Sequence, residues 1–142
     1  MESSTRNLIW RVIGIILGAL FIYVGAIKAL DPVRFAGDIE NYHILPWTIG
    51  ASLAFYLPWL EIICGIALIL RRSHFGAQTI LTGLMILFIF ATISAKARGI
   101  DISCGCFGRV SDKLSFAWHL ALDFAILFAL VALGFFERSS PD

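Results

Sequence analysis

The stretch LIWRVIGIILGALFIYVGAIKAL, residues 8–30, carries Arg11 and Lys28 as its only charges. At 1.5 Å per residue, a helix of this length crosses a hydrocarbon core of about 30 Å. Three more apolar runs follow at Thr48–Leu70, Phe75–Ala95 and Phe116–Phe136. The composition agrees: 59% of the chain is hydrophobic, 15% is charged and the mean hydropathy is +0.87, far from the soluble norm of roughly a quarter charged residues. In lipid every backbone polar group needs a partner within the protein, which leaves helices or a closed barrel. Continuous apolarity without strict alternation selects helices. The expected fold is therefore an all-α integral membrane protein, a bundle of four transmembrane helices at about 8–30, 48–70, 75–97 and 115–136. One domain covers 1–142, because the connections are too short for a soluble unit. The first run lacks a small-x-small cleavage site before Lys28 and is read as a retained helix.

A formal net charge of +1 gives no reason to invoke nucleic acid. Charge instead reports topology. Four spans put both termini and the RRSH turn, Arg71 to His74, on one side of the bilayer. The segment DPVRFAGDIENYHILPW, residues 31–47, and the segment after the third span lie on the other. Basic residues near the span ends number five on the first side (Arg6, Arg11, Arg71, Arg72, Arg138) and six on the second (Lys28, Arg34, Lys96, Arg98, Arg109, Lys113). That count does not decide the orientation. The short, acid-free RRSH turn favours termini inside. Asp31-Pro32 and Pro46 bracket a short interfacial segment, with Tyr42 and Trp47 suited to the membrane surface.

Ionisable groups within hydrocarbon cost a few kcal/mol each and ask for a partner or a task. Lys28, Glu61, His119 and Asp123 are such groups, and antiparallel neighbours would place all four in one half of the membrane. His119 and Asp123 are spaced i, i+4 and share a helix face, as Glu61 and Cys64 do at i, i+3. Lys28 either snorkels to the surface or pairs with Glu61. Pro58 is expected to bend its helix a turn before Glu61. Gly14 and Gly18 form a GxxxG pair for close helix packing, within the bundle or at a dimer seam. Ala117, Ala121, Ala125 and Ala129 make a second small-residue ridge.

The segment RGIDISCGCFG, residues 98–108, places Cys104 and Cys106 one glycine apart. A ring closed by so short a loop is expected to be strained, and strained, exposed disulfides have the higher potentials of catalytic pairs. Arg98, Arg109, Lys113 and His119 are cations able to favour a thiolate. A structural disulfide and metal ligation are the alternatives, the second without any recognisable partner motif.

GAIKALDP (25–32), NYHILP (41–46), LPWLEIICG (57–65) and RGIDISCGCFG together resemble the MauE-like branch of the DoxX-like family of small four-helix membrane proteins. The resemblance runs over nearly the whole chain, and its dithiol segment is the most specific part. It implies that Cys104 and Cys106 are a redox pair, that Lys28, Asp31, Glu61 and Arg98 are supporting motif positions, and that the dithiol lies outside a bacterial cytoplasmic membrane. Members are associated with thioredoxin-like proteins and with disulfide formation, and some DoxX-type relatives belong to a thiosulfate:quinone oxidoreductase. The function expected is a membrane thiol–disulfide redox protein that exchanges electrons with a thioredoxin-like partner. Quinone is the candidate lipid-soluble carrier, and Glu61, His119 and Asp123 would handle protons. The alternative is a non-catalytic accessory subunit of a larger membrane complex or a homodimer, with the cysteines as a bridge or metal clip.

Overall fold

A computed structural model describes residues 1–99 and 116–139. The described residues form five helices and no strand: α1 Glu2–Leu30, α2 Pro32–Asn41, α3 Trp47–Leu70, α4 His74–Ala97 and α5 Phe116–Ser139. Four of them, all but α2, are long and apolar enough to cross a bilayer. α1 starts six residues ahead of its expected boundary, and α5 ends three residues beyond its own. The polar run ESSTRN supports helix without adding apolar signal, so hydropathy alone stops short of it. The expected interfacial segment is largely α2, which folds back against α3.

The bundle is arranged as lipid requires. Ile16, Tyr23, Phe55, Ile63, Phe90, Phe128 and Phe135 point outward, which in hydrocarbon costs nothing. Without a hydrophobic drive between helices, association rests on close packing and on polar contacts. α1 makes its most extensive contact with α3, and small residues permit it. A Cβ on Gly18 would stand 2.6 Å from the Gly65 carbonyl oxygen, and one on Gly65 would stand 2.7 Å from that of Gly18. One heptad along, a Cβ on Gly25 would come within 2.8 Å of the Pro58 oxygen. The GxxxG of α1 is thus used inside the chain, Gly18 against α3 and Gly14 beside Leu133 of α5. The alanine ridge of α5 faces the other way: Ala117, Ala121 and Ala125 are exposed, while His119, Asp123, Leu130 and Leu133 point inward.

Polar side chains close the remaining gaps. Gln78 of α4 donates from Nε2 to the Leu130 carbonyl of α5 at 2.6 Å, a bond across the hydrocarbon interior. Thr79, Thr82 and Thr92 return their hydroxyls to carbonyls four residues back on the same helix, which satisfies a donor that lipid cannot. α3 and α4 are joined by a tight turn in which Arg71 and Ser73 both adopt a φ of 55°. This left-handed conformation is uncommon outside glycine, and it lets the two spans lie side by side.

Gly18→Val should lower the thermal stability of the detergent-solubilised protein by roughly 1–3 kcal/mol, the usual cost of overpacking. Gly83→Ala should not lower it, since an added Cβ there meets nothing within 4 Å.

Candidate functional site

Lys28 lies in the last turn of α1 and Glu61 mid-way along α3, on the faces that the glycine contacts press together. The Lys28 Nζ donates to Glu61 Oε1 at 2.9 Å and to Oε2 at 3.3 Å. Lys28 is 3% exposed and Glu61 1%, so Lys28 pairs inside the bundle and does not snorkel. Two aromatic rings flank the ammonium: Phe35 of α2 at 4.9 Å and Phe88 of α4 at 4.7 Å from Nζ to the ring centroid. Such cation–π contacts strengthen where water is excluded.

Asp123 of α5, 0% exposed, lines the same small void as Lys28, Glu61 and Phe88. Four helices therefore meet at this void, and α2 reaches its edge through Phe35 over Lys28. The void measures about 20 Å³, the room one water requires. Small-molecule pockets run from about 300 Å³ upward, so a quinone head group does not fit in this void. His119 is buried one turn before Asp123 on the same inward face. Cys64 is buried beside Glu61's face of α3. Among the described residues no three His, Cys, Asp or Glu side chains are gathered as a metal site needs.

The remaining supporting residues are structural in their contacts. Asp31 caps α2, its Oδ1 accepting from the Arg34 amide at 3.1 Å, with Pro32 in the first turn. Phe35, one turn in, is carried by this cap over Lys28. Arg98, just past α4, donates from Nη2 to the Tyr42 carbonyl at 3.0 Å and to Ser94 Oγ at 3.2 Å, and from Nη1 to the His43 carbonyl at 3.5 Å. It thereby ties the end of α2 to the end of α4. Cys104 and Cys106 lie outside the described residues, as do Arg109 and Lys113.

Sequence reading missed Phe35, Phe88 and the Tyr42 carbonyl. Phe35 had a signal, since Phe35 and Ile39 stand four apart and share one face of a ten-residue helix that carries Arg34, Asp38, Glu40 and Asn41. Phe88 had none, being one apolar residue among many in α4.

Four apolar spans closed around a buried ion pair define a multi-pass helical membrane protein. The family model described as methylamine utilisation protein MauE matches residues 6–137, and the chain belongs to that family. The methylamine utilization protein MauE of Methylophilus methylotrophus is 34% identical over 111 residues, covering 77% of this chain and 58% of that protein. The MauE of Methylorubrum extorquens is 34% identical over 121 residues, covering 82% and 64% respectively. The chain thus spans about three fifths of the length of these relatives. No solved structure matches it.

Lys28→Met and Glu61→Gln, made singly, should each destabilise the protein by about 3–5 kcal/mol, because either strands the other partner's charge or polar group. The double variant should regain most of that loss. Thermal unfolding of the three proteins in detergent measures the coupling.

Proposed function

We propose that this protein is a membrane thiol–disulfide redox component acting in methylamine utilisation, the process for which its relatives are named. Cys104 and Cys106 are the working pair, facing the extracytoplasmic side with the termini in the cytoplasm. One observation carries the reading: Lys28, Glu61 and Asp123 line one buried void, and His119 is buried a turn before Asp123, toward the end of the bundle where α4 ends and α5 begins. Those are the two helices between which the cysteines stand in sequence. An ionisable cluster so placed is suited to proton traffic beneath a dithiol.

The exchange runs through a mixed disulfide. A cysteine thiolate of a thioredoxin-like partner attacks one sulfur of the Cys104–Cys106 disulfide, and the other sulfur leaves as a thiolate. The partner's second thiolate then attacks the mixed disulfide, so the partner departs oxidised and this chain is left with two thiols. Two electrons move from partner to chain, and two protons follow. His119 and Asp123 hold and pass those protons, the Lys28–Glu61 pair fixes the helices around them, and Arg98 positions the start of the cysteine segment. The reverse sequence reduces the partner by the same bonds.

The outward alanine face of α5 favours a second reading, an accessory subunit docked to a larger membrane complex. Purification from native membranes separates the two, since that reading requires a stoichiometric partner that persists in Cys104→Ser/Cys106→Ser.

In isolated membranes, maleimide labelling should add two reductant-dependent mass increments to the wild type and none to Cys104→Ser/Cys106→Ser. Either single serine variant should trap a mixed disulfide with a partner. A double variant with unchanged redox labelling and unchanged growth on methylamine would sink the proposal.

A further inference from the structure

The opposite end of the bundle carries a second polar feature that involves neither the cysteines nor Lys28. There the start of α1, the end of α3, the start of α4 and the end of α5 enclose a cavity of about 350 Å³, within the range of small-molecule sites. Arg11, Arg71, His74 and Glu137 line its polar rim, and Leu68 and Leu133 its apolar floor. Among the described residues Glu137 is the carboxylate on that rim, and Arg71 Nη2 lies 3.9 Å and His74 Nε2 3.4 Å from its oxygens. Its side chain is only 14% exposed against 49% for Arg71, so the carboxylate sits below and the guanidinium is presented outward. Trp10 and Phe136 stack at 5.0 Å to form one wall, and the Arg6 guanidinium stands 5.2 Å from the Phe136 centroid. Two guanidinium groups, Arg11 and Arg71, thus line the cavity, Arg6 stands behind its aromatic wall, and Glu137 is the carboxylate that the described residues place in it.

We propose that this cavity binds the phosphate head group of an anionic phospholipid, with an acyl chain descending along the apolar floor. Arginines offer forked donors to phosphate oxygens, and basic pockets between transmembrane helices suit such head groups. Trp10 marks the level of the membrane interface, where a lipid phosphate lies. A free anion would use the rim and leave the floor unfilled, which is why a lipid is the better occupant. The left-handed turn at Arg71 and Ser73 serves the site by aiming Arg71 and His74 at a common point.

Native mass spectrometry of the full chain in mild detergent tests this, with phosphatidylglycerol and phosphatidylcholine added in parallel. The wild type should retain phosphatidylglycerol preferentially. Arg11→Gln/Arg71→Gln should weaken that retention roughly thirtyfold, from about 1 kcal/mol for each basic residue near an anionic surface, while Arg34→Gln at the other end leaves it unchanged. Millimolar inorganic phosphate should not displace the lipid. Gly14→Leu narrows the floor and keeps every charge, so it should also lose the lipid, and it serves should the double variant fail to fold. Equal retention of phosphatidylcholine, undiminished binding in Arg11→Gln/Arg71→Gln or Gly14→Leu, or displacement by inorganic phosphate would each overturn the assignment.

Discussion

The Lys28–Glu61 ion pair is the interaction on which the rest of the bundle depends. In hydrocarbon neither group has water to return to, so each has the other as its principal stabilising partner. That requirement fixes the register of α1 against α3. The glycine contacts follow the same register: Gly18 meets Gly65 and Gly25 meets Pro58, both steps of seven residues. The remaining helices then complete the surroundings of one charge. α2 must fold back to bring Phe35 over the ammonium, α4 supplies Phe88 and α5 supplies Asp123. A soluble bundle of this size would be organised by an apolar core. Here large apolar residues cover the outside, and a buried salt bridge specifies which small-residue faces meet.

The sequence was most legible where lipid imposes its own rule. Long apolar runs have almost no alternative fate, so the four spans could be read directly, and the ionisable residues stood out against them. Pairing was harder. Whether Lys28 reaches Glu61 or the membrane surface depends on the depth of α1 relative to α3, a tertiary quantity that no local pattern contains. Small-residue spacing likewise shows that a stripe exists and not which way it faces: Gly18 turns inward to Gly65, whereas Ala117, Ala121 and Ala125 turn outward. Phe88 became part of the site through tertiary placement alone. The Cys104–Cys106 pair, the most specific motif in the chain, lies beyond the residues described.

The two ends of the bundle are chemically unlike. At one end the charges are drawn inside and neutralised in pairs, with Lys28 against Glu61 and a second carboxyl, Asp123, beside them. At the other end Arg11 and Arg71 line the rim, and among the described residues Glu137 answers them from within. Counts of five and six basic residues at the span ends concealed this difference. Lys28 is spent on an internal ion pair, so it does not present its charge to the membrane surface as the exposed Arg6, Arg11 and Arg71 do. Topology counts that treat every lysine and arginine alike miss this, because the rule concerns charge at the surface and not charge in sequence.

α2 links the ion pair to the segment that follows α4. Asp31 starts this helix with a cap, Phe35 packs it over Lys28, and Arg98 holds its end through the Tyr42 carbonyl. Three attachments leave a ten-residue helix little freedom to tilt. Arg98, the last of them, stands six positions before Cys104 in the sequence. Lys28, Phe35, the end of α2 and Arg98 are thus joined by successive contacts, without any side chain spanning the distance. Rigid elements hold their contacts in place, and here the helix that Arg98 grips is anchored on the same buried charge that sets the helix register.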